Sequence, residues 1–192
     1  KGIRKNRVGF ELAGKRLAII GCGSIGSKTA KIAKAGFRMK ITGCDLGKTE
    51  DCSFIDDFTT DYAEAVKMAD FVSLHIPDIP ATKNYIDLSR LSAMKTTAVL
   101  INTARGGVVD ENAVYDAVKS GVIRGAVLDV FKTEPYAPQV ADKDLRTLDG
   151  VIMTPHIGSS TQEACDRMAL AALKNIRQGI NGKISEMNII PV

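Results

Sequence analysis

Four side chains in this sequence could together carry proton and carboxylate chemistry: Arg105, Asp129, Glu134 and His156. An arginine presents a fork of donors that fits a carboxylate and polarises the neighbouring carbonyl. A histidine beside a carboxylate can remove and return a hydroxyl proton near neutral pH, with the carboxylate raising its pKa and setting its tautomer. Arg105 follows an apolar run at residues 98–101, Asp129 lies at the end of a run at 125–130, and His156 follows a run at 151–153. Glu134 comes five residues after Asp129. Ligands of open α/β sheets bind outside the carboxyl ends of the strands, so functional groups are expected just past each run. Three of them also have a bland reading. Arg105 could be solvated or salt-bridged, Glu134 could start a turn before Pro135, and His156 could be a satisfied structural histidine.

A second constellation opens the chain. Residues 17–20 form an apolar run, and Gly21-Cys22-Gly23-Ser24-Ile25-Gly26 follows at once, giving G-x-G-x-x-G. Gly21 allows a tight turn, Gly23 lets backbone approach a pyrophosphate, and Gly26 lets a helix pack on its strand. Ala30 and Ala33 continue the small face of Gly26. The amides at that helix start form an anion site. A second strand at residues 39–44 ends in Asp45, nineteen residues after Gly26, where a carboxylate can take the ribose hydroxyls and repel a 2′-phosphate. A dinucleotide site is expected, with NAD favoured over NADP.

The elements that must hold these groups alternate regularly. Strands are expected at residues 17–20, 39–44, 71–74, 98–101, 125–130 and 151–153. The stretch 46–60 reads as polar and turn-rich. Asp61 with Glu64 forms a capping box for a short helix, 88–94 can form another, and Asp110 caps a helix that Gly121 stops. Ser160 with Glu163 starts a last helix through about Gln178, striped with Met168, Ala171, Ala172 and Ile176. His75 follows the third strand and reads as lining or structure ahead of catalysis. The pattern is that of an α/β doubly wound parallel sheet, the Rossmann type, over residues 15–178. Residues 1–14 form a linker and 179–192 a tail.

The 192 residues carry 26 Lys and Arg against 22 Asp and Glu, a net charge of +4. Only Lys1, Arg4, Lys5 and Arg7 cluster, and they read as a solvated linker ahead of a nucleic-acid arm. No apolar run is long enough for a membrane span and no secretory leader is legible. Cys22, Cys44, Cys52 and Cys165 lack C-x-x-C spacing, so reduced thiols in the cytoplasm are expected, with no disulfide framework and no metal site.

Gly21 to Gly26, Leu74-His75-Ile76-Pro77, residues 101–110, 125–135 and 154–161 together resemble the D-isomer-specific 2-hydroxyacid dehydrogenases. The resemblance runs over nearly the whole chain, and the stretches 102–111 and 154–158 are its most specific parts. It implies that Arg105 binds substrate, Glu134 pairs with the histidine and His156 is the acid/base. It implies further that Asp129 contacts the nicotinamide carboxamide and Asp45 the ribose. With these, Gly21, Gly23, Ser24, Ile25, Gly26, His75, Ile76, Pro77, Thr82, Thr103, Ala104, His156 and Gly158 are expected at the cofactor. The arginine loop is more similar to the phosphoglycerate, glycerate and hydroxypyruvate enzymes than to the D-lactate enzymes, with phosphoglycerate first. The resemblance also implies a small 2-hydroxy or 2-oxo acid as partner, and a homodimer.

Two features depart from the family. Lys132 stands where relatives often carry an acid, and reads as a surface change. About a hundred further residues that build the substrate domain are absent, so NAD binding with poor turnover is expected of this chain alone. A non-enzymatic rival shares the fold: corepressors that use NAD as a conformational ligand keep the same trio.

Overall fold

The structure, a computed structural model, describes residues 9–47 and 53–187. The basic cluster Lys1, Arg4, Lys5 and Arg7, and Cys52, lie outside the described residues. Two compact units divide the chain, Lys1–Pro155 and His156–Val192.

The first unit holds one seven-stranded sheet: β1 (Arg16–Ile20), β2 (Lys40–Cys44), β3 (Asp57–Thr59), β4 (Phe71–Leu74), β5 (Val99–Asn102), β6 (Gly125–Leu128) and β7 (Val151–Met153). The strand order is β3-β2-β1-β4-β5-β6-β7 and every neighbouring pair is parallel. The direction of build-up reverses at β1, between β2 and β4, which makes that gap the switch point of the sheet. Among the described residues four α-helices serve this unit: α1 (Ser24–Phe37), α2 (Tyr62–Val66), α3 (Leu88–Ser92) and α4 (Glu111–Ser120).

Alternation within β1 explains the layers. Ala18 and Ile20 join the larger core with Val72, Leu74, Leu100, Leu128 and residues of α2, α3 and α4. Leu17 and Ile19 face the other way, with Ile41 and with Ala30 and Ala33 of α1. Burying both faces requires the near-continuous apolar strands that the sequence shows.

The structure departs from the sequence reading in several places. The turn-rich stretch 46–60 contains β3, a polar edge strand whose three residues pair with Thr42, Gly43 and Cys44. Its place is set by the neighbouring Asp56, whose carboxylate accepts from Ile41 N at 2.8 Å and from Lys34 Nζ at 2.7 Å. Asp61 caps α2 as expected, accepting from Ala63 N at 2.8 Å, but Glu64 does not complete the box. Asp61 N donates instead to Thr59 Oγ1 at 3.0 Å, and Glu64 pairs with Lys67. Asp110 caps α4 by accepting from Asn112 N and Ala113 N, and Gly121 ends it in the left-handed region at φ 77°.

The second unit carries α5 (Gln162–Ile180). Thr161, not Ser160, is its cap, because the helix begins one residue later and Ala164 N donates to Thr161 Oγ1 at 3.1 Å. The compact α/β unit ends at Pro155, where the sequence reading carries the domain to residue 178. The apolar stripe of α5 is not buried: Met168, Leu170, Leu173, Ile176 and Ile180 are all exposed. No described helix is long and apolar enough to cross a membrane.

Candidate functional site

Because all seven strands run one way, the loops after β1, β2, β4, β5, β6 and β7 leave the same edge of the sheet. The glycine turn follows β1. Gly21 sits at φ +97°, and a Cβ there would lie 2.6 Å from His75 O, so backbone of the β4 loop occupies the space a side chain would need. A Cβ at Gly26 would lie 2.0 Å from Gly21 O and 3.0 Å from Ile19 Cγ2, so this residue lets α1 close onto the turn. Gly23 differs: a Cβ there would meet no protein atom within 4 Å. Packing within the chain does not demand a glycine at 23, whereas the approach of a pyrophosphate does.

The start of α1 fits the same ligand. It has no acidic residue in its first turn and no side-chain cap on Gly23, which leaves its first amides and its dipole to an anion. Ser24 and Ile25 lie exposed beside it. Asp45, one residue past β2, accepts from Cys22 N at 2.7 Å and from Leu46 N at 2.7 Å, one bond to each carboxylate oxygen. The turn is thereby tied to the acid. Each oxygen keeps a further lone pair for a ribose hydroxyl. These features fit a dinucleotide.

The loop after β4 carries His75, Ile76 and Pro77. His75 is largely buried and its Nε2 lies 3.0 Å from Ser73 Oγ, which is itself buried. Burial pushes the imidazole pKa down to about 4, so the ring is neutral at physiological pH. Thr82 turns back onto its own loop, with Oγ1 2.5 Å from Pro77 O and accepting from Ile79 N at 3.0 Å.

Arg105 lies in the loop after β5, exposed, with Nη1 donating to Ala104 O at 2.7 Å. Asn102, the buried last residue of β5, shapes this loop from beneath. Its Nδ2 donates to Arg105 O at 2.9 Å and its Oδ1 accepts from Ala104 N at 3.1 Å, bracketing Thr103 and Ala104. Gly106 touches the backbone of the next loop: a Cβ there would sit 2.0 Å from Phe131 C. The arginine loop and the loop after β6 are therefore in direct contact.

Asp129 is buried just past β6, where Thr154 Oγ1 of the β7 loop donates to its Oδ1 at 2.5 Å. Glu134 is exposed but steadied, its Oε1 accepting from Phe131 N at 3.0 Å. Glu111 at the start of α4 is buried and accepts from Lys132 N at 2.7 Å. Lys132, read from sequence as a surface change, thus contributes its backbone to the interior. Asn102 and Glu111 are the polar positions that sequence reasoning left without a role. Their signal was present: a polar residue closing an apolar strand, and an acid directly after a helix cap.

His156 and Gly158 belong to the second unit. In the chain His156 follows β7 by three residues, and it adopts a left-handed backbone at φ 54°. Gly158 is exposed in the same loop. Among the described residues no group of three or more His, Cys, Asp or Glu is placed to hold a metal ion.

Comparison with known proteins agrees with this geometry. The family model of the D-isomer specific 2-hydroxyacid dehydrogenase NAD binding domain matches residues 2–158. D-3-phosphoglycerate dehydrogenase of Methanocaldococcus jannaschii is 43% identical over 185 residues, covering 95% of this chain and 34% of that protein. Hydroxypyruvate reductase of Thermotoga maritima is 41% identical over 176 residues, covering 90% of this chain and 55% of that protein. Among solved structures, the NAD-complexed D-isomer specific 2-hydroxyacid dehydrogenase of Lactobacillus delbrueckii ssp. bulgaricus superposes with a TM-score of 0.82 at 30% identity, over 91% of this chain and 55% of that one. The chain thus spans about a third to a half of the length of the proteins it matches. It belongs to the D-isomer-specific 2-hydroxyacid dehydrogenases, as their NAD-binding domain.

Proposed function

We propose that this domain serves an NAD-dependent oxidoreductase acting at C2 of small D-2-hydroxy and 2-oxo acids, of the phosphoglycerate, glycerate or hydroxypyruvate type. The observation that carries the reading is the shared edge of the parallel sheet. The glycine turn, Asp45, His75, Arg105, Asp129 and Thr154 all follow strands that end there. When bound, NAD(H) supplies or accepts the hydride. Asp45 holds the ribose hydroxyls and disfavours a 2′-phosphate, and the start of α1 with Gly23 takes the pyrophosphate. Ser24, Ile25, Ile76, Pro77, Thr103, Ala104 and Gly158 line the cofactor, and Asp129 takes its carboxamide.

Arg105 anchors the substrate carboxylate through its fork of donors and polarises the C2 carbonyl. His156 takes the C2 hydroxyl proton as the alcohol becomes a carbonyl and returns it in the reverse direction. Glu134 stabilises the imidazolium that forms. The phosphoglycerate and hydroxypyruvate names of the relatives above support the substrate class. The corepressor reading finds no counterpart among them. We extend the proposal to a cytoplasmic homodimer, supported by the free thiols of Cys44 and Cys165 and by the family resemblance.

The test is a fluorescence titration of NADH into the chain, with NADPH and Asp45→Ala alongside. It is followed by turnover of hydroxypyruvate and of its 3-phospho form, with the chain alone and joined to a relative's remaining segment. Selective NADH binding that weakens at least about tenfold in Asp45→Ala is expected. Turnover should appear with the joined segment and vanish in His156→Ala. NADH binding without turnover of any 2-oxo acid in the joined form would overturn the enzymatic reading.

A further inference from the structure

Two carboxylates hold two successive amides of one loop. Phe131 N donates to Glu134 Oε1 at 3.0 Å, and the next amide, Lys132 N, donates to Glu111 Oε1 at 2.7 Å. Glu111 lies six residues after Arg105, at the first position of α4. The same peptide is pressed by Gly106, whose added Cβ would fall 2.4 Å from Lys132 N. The contact between the two loops thus has a steric half at Gly106 and a hydrogen-bonded half at Glu111.

Helix capping does not explain this glutamate. Asp110 already caps α4 through two amides, and an acid serving the helix dipole could stand in solvent. Glu111 is instead only 5% exposed, with Oε2 buried and without a hydrogen-bond partner. Burial raises its pKa above the usual carboxylate value, ahead of the lowering effect of Lys132 N. A buried, half-satisfied carboxylate is unfavourable for stability alone.

We infer that Glu111 is a positioning residue: by holding the Lys132 amide it locks the loop that presents Glu134 onto the loop that presents Arg105. This rests on the roles proposed above for Arg105 and Glu134. With Lys132 N held and Gly106 against Phe131 C, the Phe131–Lys132 peptide is restrained from two sides, which limits rotation about the Phe131 backbone and keeps Phe131 N aimed at Glu134. Releasing Lys132 N frees Glu134 and weakens its support of the histidine.

The experiment compares E111M, which fills the space without an acceptor, with E111Q, whose carbonyl oxygen still accepts from Lys132 N. Hydrogen exchange reads the lock directly. The Lys132 amide should exchange about tenfold faster in E111M and near the wild-type rate in E111Q. In the form of the protein that turns over, the alkaline limb of kcat/KM for 2-oxo acid reduction should move down by about one pH unit in E111M, as in E134Q. E111Q should keep the wild-type limb, and E111M combined with E134Q should add little to E134Q. Unchanged Lys132 exchange in E111M, or a lower melting temperature with the pH limb unmoved, overturns the inference. Should wild type show no turnover, the proposed activity fails, while exchange at Lys132 still decides the lock. If E111M does not fold, E111A gives the same comparison.

Discussion

The loops after β1 and β5 leave the same edge of the sheet, and both depend on a glycine pressed against backbone. A Cβ at Gly26 would lie 2.0 Å from Gly21 O, and one at Gly106 would lie 2.0 Å from Phe131 C. Beyond that they are built in opposite ways. In the β1 turn the backbone is the working part, and a single carboxylate, Asp45, ties the turn down through Cys22 N. In the β5 loop the working part is the Arg105 side chain, and buried polar residues hold the backbone around it: Asn102 takes Ala104 N and Arg105 O from beneath, and Glu111 takes Lys132 N of the facing loop. A site made of amides needs only the right backbone shape. A site made of long side chains needs a second layer to aim them.

The contrast can be broken at its tightest point first. Gly106→Ala places a methyl group into the Phe131 backbone, which cannot yield as a flexible side chain would. A loss of at least ~3 kcal/mol in urea unfolding is expected. Next comes acidity, acting through the β4 loop that backs the glycine turn. His75 drops from 6.5 to about 4 on folding, so the unfolded chain binds more protons between those values. Its contribution is complete above pH 6.5, is lost as pH falls toward 4, and amounts to up to ~3 kcal/mol. Urea midpoints measured from pH 4 to 7 should follow this slope in wild type and flatten in His75→Gln.

Asn102→Ala removes two hydrogen bonds beneath Arg105 and leaves Ala104 N without its acceptor, for a loss of ~2 kcal/mol. If the β5 loop needs that second layer, the substrate KM rises several-fold more than the NADH Kd, to which Thr103 and Ala104 contribute only in part, and equal loss of both sinks the distinction. The smallest effect on stability sharpens the comparison most. Gly23→Ala meets no protein atom and should alter unfolding by under ~1 kcal/mol. NADH affinity, followed by fluorescence, should nonetheless fall at least about tenfold, because the methyl group stands where pyrophosphate must approach. Unchanged affinity would remove Gly23 from the cofactor site.

Legibility in the sequence followed the same divide. The strands from β1 to β7, apart from β3, stand within a residue or two of their apolar runs, because strands buried on both faces leave a continuous signal. The caps at Asp61 and Asp110 were readable because a cap needs only a local side chain and its own next amides. β3 was not readable: a polar edge strand of three residues exists only because β2 offers it a ladder. Glu64 and Ser160 had the right spacing for capping boxes, but an ion pair with Lys67 and a cap at Thr161 prevailed. Spacing offers several partners, and the local backbone selects one.

By itself, the sequence determined the alternation of the parallel sheet, the glycine turn with its acid nineteen residues on, and which polar residues follow the strands. These follow from periodicity and from contacts close along the chain. Only the tertiary structure decided how those groups are held. Asn102 and Glu111 became buried supports, Thr154 was delivered to Asp129 across 25 positions of sequence, and His75 was made neutral by its surroundings. Burial and long-range hydrogen bonding depend on which loops meet, and strand order sets those meetings while no local pattern encodes them.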